Sequence, residues 1–279
     1  MVREFLVRQH VVGQFVVGQF VERRQLVREF LVGRVLGLGA NMKRLPIAAR
    51  GLVILVAAGG LAAILVRLPD LARWNGNDVA VFALLTAGII VTEQFQIPLR
   101  FGAETLNFSL TEALWVGGLI LARPSVVTMA VAAGVLVGQG MRRWAPHKVA
   151  FNAGQFLLAL TAAQVVVRAL RSPDALAPST FLAVGLGMAA YALINAGLVA
   201  LVIARVQERS FRSVFLKPLP ENAVHFVTNT ALGLAAAVVW HAAPGVVPLL
   251  MLPLAMSFLA YRVLMDSVRT SGRLREPAS

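Results

Sequence analysis

The chain contains no cysteine. Disulfides, thiolate nucleophiles, iron–sulfur clusters and Cys-ligated zinc are therefore excluded. Charge is scarce too: Asp, Glu, Lys and Arg make up 14% of the 279 residues, against about 25% in soluble domains. Of the 26 basic residues only Lys43, Lys148 and Lys217 are lysines. With abundant Ala, Val, Gly and Leu, that bias points to a GC-rich, bacterial genome. Enzyme signatures are missing: there is no G-x-S-x-G, no H-E-x-x-H, no GxxxxGK[ST], and no GxGxxG in a strand–helix setting. Of the four histidines, His10, His147, His225 and His241, none sits in a set of converging ligands that would make a metal site. The expectation is a protein that is not an enzyme, with no catalytic residues, no metal and no cofactor.

What is present is apolar. Hydrophobic residues make up 58% of the chain, and the mean hydropathy is +0.76. No soluble core buries that much apolar surface and still leaves a polar exterior, so the expected solvent is a lipid bilayer. The predicted fold class is all-α, a polytopic transmembrane helix bundle. The net charge of +13 lies in short loops between apolar runs. It reads as contact with anionic headgroups and as an orientation signal, and no nucleic-acid partner is expected.

Residues 1–41 stand apart. In fives the chain begins MVREF LVRQH VVGQF VVGQF VERRQ LVREF LVGRV, with Val second in every block but one. A five-residue step turns about 140° on a helix, so no continuous apolar stripe forms. Three readings stay open: a translated tandem repeat with initiation at Met42, a membrane-surface helix, or disorder. No cleavable signal peptide is expected. Residues 42–265 form the expected membrane domain, and 266–279 a basic cytoplasmic tail. Eight apolar segments are expected, at 45–66, 79–92, 108–122, 126–141, 149–167, 181–204, 223–243 and 246–265. The third and fourth are short and joined by Arg123-Pro124, so six full spans plus a re-entrant hairpin is the variant.

Alternate loops differ in charge. With the N-terminus inside, the inner loops from Met42 onward hold 15 basic residues and the outer loops five: Arg67, Arg73, Arg123, Arg168 and Arg171. That asymmetry predicts a multi-pass protein of the cell membrane with both termini cytoplasmic.

Polar residues at membrane depth are the candidate site. Glu112 lies some four residues into the third segment, where a carboxylate costs about 2.5–3.5 kcal/mol on insertion scales unless it is partnered or wet. Asn152 and Gln155 are three apart on the fifth segment, Tyr191 and Asn195 four apart on the sixth, and His225 and Asn229 four apart on the seventh. Each pair shares a helix face. Glu112, Asn152, Gln155, Asn195, His225 and Asn229 are the expected ligand-binding set, facing one cavity. The alternative is pairwise interhelical hydrogen bonding. Glu93 and Glu104 are expected to reach solvent in the inner loop. Gly134 and Gly138 form a GxxxG, expected to pack closely on a neighbouring helix.

From Asn107 to Arg171 the chain runs N-F-S-L-T-E-A-L, an apolar hairpin, and then R-R-W-A-P-H-K-V-A-F-N-A-G-Q. This stretch resembles the multi-span membrane-associated sensor domains that precede HD-type phosphohydrolase, GGDEF or kinase modules in bacterial signalling proteins. The shared features are Ser109 opening an apolar span, the basic loop Arg142–Lys148, and Phe151-Asn152 with Gln155 starting the next span. The resemblance implies a sensory or regulatory input role for an apolar or membrane-borne cue. After Met265 the family's output module is lacking, so the expectation is a stand-alone sensory membrane domain working through a cytoplasmic partner. The alternative is a small-molecule transporter or its substrate-binding subunit.

Overall fold

The structure, a computed structural model, describes residues 45–95, 97–101 and 104–246. The segment 1–41, the eighth apolar segment beyond Val246 and the tail 266–279 lie outside the described residues. The described chain is an all-α bundle. Its helices are α1 (Ile47–Arg67), α2 (Gly76–Gln94), α3 (Thr111–Leu121), α4 (Pro124–Met141), α5 (Pro146–Leu170), α6 (Pro178–Gln207), α7 (Phe211–Leu216) and α8 (Leu219–Ala242). A short 3-10 helix, Leu68–Arg73, follows α1.

The helix starts are written locally. Asn75 and Asp78 form a reciprocal capping box at α2, with Asp78 N donating to Asn75 Oδ1 at 2.9 Å and Asn75 N donating to Asp78 Oδ2 at 3.0 Å. Pro124, Pro146 and Pro178 each open a helix, where a missing N–H costs nothing. At the end of α6, Glu208 takes a left-handed φ of 54°, which lets Arg209 N donate back to Ala204 O.

Six helical stretches are long and apolar enough to cross a bilayer: Ile47–Arg73, Gly76–Gln94, Pro124–Met141, Pro146–Leu170, Pro178–Gln207 and Asn222–Ala242. Their outward faces leave large apolar side chains exposed, among them Leu55 at 69%, Leu182 at 65% and Val227 at 68%. Water would oppose such a surface and lipid would favour it. The chain is an integral membrane protein.

Helix α3 has 11 residues, about 16 Å of rise, and does not cross alone. A two-stranded antiparallel ribbon precedes it, β1 (Ile97–Phe101) and β2 (Glu104–Phe108), with Leu99 opposite Leu106. The sequence predicts an inner loop here, and the structure pairs it into a ribbon. The α3–α4 turn nevertheless reaches the far end of its neighbours: Arg123 Nη1 donates to Arg73 O at 2.7 Å, and Trp74 Nε1 donates to Ser125 Oγ at 3.1 Å. The pair therefore does not turn back at mid-depth as the re-entrant variant required.

Glycines set the closest crossings. Gly60 on α1 faces Gly154 on α5, and a Cβ on either would collide with the other helix's backbone. Gly134 and Gly138 seat α4 on Ile89 and Glu93 of α2. The main apolar cluster joins Ile89, Trp115, Val116, Leu119, Val127, Val131, Leu160, Val184 and Tyr191 in the middle of the bundle. Polar groups gather at the two ends, called here the arginine end (Arg67, Arg123, Gln164) and the glutamate end (Glu93, Gln139, Arg142).

Candidate functional site

A cavity of about 550 Å³ opens at the glutamate end. Its wall combines the ends of α2, α4, α5, α6 and α8 with the start of α3. Glu93, Glu112, Gln139, Asn152, Gln155, Asn195 and His225 line it, Arg142 and Trp144 of the α4–α5 connection and His147 and Lys148 at the start of α5 stand nearer the mouth, and Phe156 and Phe226 supply aromatic surface. Behind those two rings lies a second aromatic layer. Trp115 meets Phe156 and Tyr191 edge-on at 5.2 Å, and Tyr191 meets Phe226 at 5.6 Å.

The structure brings the sequence-predicted residues together. Glu112, Asn152, Gln155, Asn195 and His225 line the one cavity. Asn229 is fully buried just behind it, where its Nδ2 donates to Ser109 O at 2.9 Å and to Glu112 Oε2 at 3.4 Å. His225 Nε2 lies 3.0 Å from the same Ser109 carbonyl. A carbonyl oxygen only accepts, so that nitrogen carries the proton. The Glu112 carboxylate is 3.8 Å from it. Residues of α8 thus hold the first turn of α3 through its loose backbone and its carboxylate.

A second group is an amide relay. Gln139 Nε2 donates to Glu93 Oε2 at 3.3 Å, Asn152 Nδ2 to Gln139 Oε1 at 3.1 Å, and Gln155 Nε2 to Asn152 Oδ1 at 3.4 Å. Arg142 Nη1 donates to the backbone O of Glu93 at 2.9 Å and its guanidinium lies over the Trp144 ring at 5.1 Å. Glu93 is therefore not the solvated loop residue expected: α2 continues to Gln94 and buries the side chain to 3% exposure against Gly138 and Gln139. Glu104 falls on β2.

Buried polar atoms normally have partners. Here Gln155 Oε1, Asn195 Oδ1 and His147 Nε2 are buried, belong to cavity-lining residues and have no hydrogen-bond partner among the described residues; Trp115 Nε1 and Tyr191 Oη are in the same state in the layer behind. The site is equipped to hold a polar molecule by hydrogen bonds and aromatic contact. No cluster of His, Cys, Asp and Glu among the described residues is arranged to hold a metal ion.

Sequence reasoning missed Gln139, Thr111 and the role of Glu93. The usable signal was Gly138-Gln139-Gly140, an amide between two glycines in the last turn of an apolar helix. Thr111 closes the wall through Thr92, with their hydroxyls 2.9 Å apart, and through Ser109 at 2.6 Å. Searches against protein-family models, curated proteins and solved structures give no match to this chain, so the site's reading rests on its own residues.

Proposed function

We propose that the protein is a sensory membrane domain that binds a small polar molecule in the cavity at the glutamate end and passes the signal to a separate partner. The observation that carries this reading is a cavity of ligand size whose buried acceptors, Gln155 Oε1 and Asn195 Oδ1, have no partner among the described residues. Pockets of about 300–1,000 Å³ with a few convergent polar groups are the usual form of small-molecule sites. A smaller pocket of about 350 Å³ lies at the arginine end, and the apolar cluster that contributes Phe226 to the cavity also contributes Leu119, Val127 and Val167 to that pocket. Such a packed layer suits binding without passage. The resemblance of Asn107–Arg171 to bacterial sensor domains supports the same reading.

The glutamate end is placed in the cytoplasm on the basic-residue asymmetry. Arg205, Arg209 and Arg212 and the short helix α7, with Phe211 stacked on Phe215 at 5.3 Å, would meet the partner there. Reporter fusions ending at Pro173 and at Ser210 should report opposite sides, with Ser210 inside; the reverse assignment would place the cavity mouth outside. Carrier function is the second reading, favoured by the short α3 whose entry is broken by a ribbon.

The decisive measurement is thermal unfolding of the purified protein in detergent against fractions of a bacterial small-molecule extract. A bound ligand at 100 times its Kd adds about 2.7 kcal/mol, on the order of 5 °C or more for a chain of this size. A fraction that stabilises the wild type but not Asn195→Leu supports the site. Identical responses of both proteins to every fraction would refute it. Uptake of the active fraction into proteoliposomes would decide for the carrier.

A further inference from the structure

We infer that the cavity selects an amphoteric small molecule, with a hydrogen-bond-donating cationic head at Gln155 and Asn195 and an anionic end at Lys148. The inference rests on the binding reading above and names its ligand class.

The direction of the amide relay is the starting point. Gln139 donates through Nε2 to Glu93 Oε2, which fixes the orientation of its amide. The carbonyl oxygen of Gln139 must then accept from Asn152, and that of Asn152 from Gln155. Each amide is turned by the one before it. The relay ends on Gln155 Oε1, a buried acceptor with no donor among the described residues. Asn195 Oδ1, on the facing helix, is a second one. Two carboxylates, Glu93 and Glu112, line the same cavity and are themselves almost fully buried. A group that donates several hydrogen bonds and carries positive charge satisfies all of this; an anion satisfies none of it.

The mouth has the opposite character. Lys148 lies in the first turn of α5, its ammonium makes no hydrogen bond or ion pair among the described residues, and its neighbour His147 has a bare Nε2. From Lys148 to Gln155 is seven residues of helix, about 10 Å along the axis. The lining carboxylates Glu93 and Glu112 are balanced by Arg142 and Lys148. A simple cation would face Lys148 on the way in, and a simple anion would find only acceptors at the bottom. A molecule about 10 Å long, with an amine at one end and a carboxylate or phosphate at the other, fits both.

The absence of cysteine allows a direct test. Ala196 and Ile203 both line the cavity on α6, seven residues apart, and each is replaced singly by cysteine. The purified proteins are labelled in detergent with a trimethylammonium-bearing and a sulfonate-bearing methanethiosulfonate, and each rate is normalised to that of a free thiol. A local potential of a few kT predicts that Ala196→Cys favours the cationic reagent about tenfold. Ile203→Cys should show a smaller or reversed preference, and adding Lys148→Gln should shift it toward the cationic reagent. Equal normalised rates at both depths, or a sulfonate preference at Ala196→Cys, would overturn the amphoteric assignment while leaving a wet binding cavity in place. Protection of both cysteines from both reagents would remove the cavity, and the binding reading with it.

Discussion

The two ends of the bundle use the same kinds of residue to opposite effect. At the arginine end every buried polar group has a partner. Arg67 and Arg73 each lie 3.9 Å from Asp70, and Arg123 lies 3.5 Å from Asp78. Gln164 accepts from Arg67 at 3.2 Å and donates to Pro124 O at 3.0 Å. None of the buried unpartnered atoms among the described residues lies there; those of Gln155, Asn195, Asn229 and His147 are all at the glutamate end. The five basic residues that count against the orientation rule, Arg67, Arg73, Arg123, Arg168 and Arg171, converge on the arginine end. Three of them tie the connections together. One end lines its smaller pocket, about 350 Å³, with satisfied pairs, and the other lines its cavity with an unfinished network. Unfinished networks are destabilising, so the glutamate end is the costlier of the two, as the proposed binding role requires.

Both ends rest on one helix crossing, and a single substitution there should have the largest effect. Gly154→Ala would drive a methyl group into the backbone of α1 at Val56 and Ala57. Alanine gains up to about 1 kcal/mol in helix propensity, but overpacking against backbone costs on the order of 3 kcal/mol, so the clash wins. The expected result is loss of monodisperse protein on size exclusion in detergent; wild-type yield and thermal stability would show that the α1–α5 seam is looser than described.

Next in size is Gln139→Leu. It strips Glu93 of its side-chain donor and Asn152 of its acceptor in one step. Leaving buried polar groups unsatisfied costs about 2 kcal/mol, which SDS or thermal unfolding would read. At the arginine end, Asp78→Ala removes both the capping box of α2 and the partner of Arg123. The cap is worth about 1 kcal/mol; the ion pair adds little, because Arg123 is half exposed. Ligand binding should be untouched, since the change lies across the apolar layer from the cavity. A loss of binding in Asp78→Ala would mean that the two ends are coupled.

Much of this was legible in the sequence. The spans follow from long apolar runs, and their ends from Asn75, Pro146 and Pro178, whose capping roles depend only on local chemistry. The polar set on α5 and α8 was visible because spacings of three and four fix a shared face. What stayed hidden depended on tertiary placement. The ribbon has alternating five-residue runs around Gly102-Ala103, but it sits among charges and reads as a loop. Glu93 lies at a helix end, where length alone does not say whether the side chain turns to water or to α4. Gln139 has no polar neighbour at helical spacing on its own helix, and its meaning comes from Asn152 on another.

The smallest expected effect on stability is also the sharpest test of the contrast. Gln155→Leu removes a side chain that is 4% exposed, which in most proteins would be costly. Here the lost hydrogen bond is a long one, 3.4 Å to Asn152, and the other end of the amide is already unpartnered. Deleting an unpartnered acceptor relieves a desolvation penalty of about 1 kcal/mol or more. Leaving Asn152 Oδ1 without its donor costs a similar amount, and leucine adds apolar burial next to Phe156. These contributions nearly cancel, so the unfolding midpoint should move by less than about 0.5 kcal/mol in either direction. Ligand stabilisation, by contrast, should disappear. A variant as stable as the wild type that no longer responds to ligand is what a binding residue predicts. A variant destabilised by about 2 kcal/mol would instead show that Gln155 is satisfied within the fold and that the relay ends in structure.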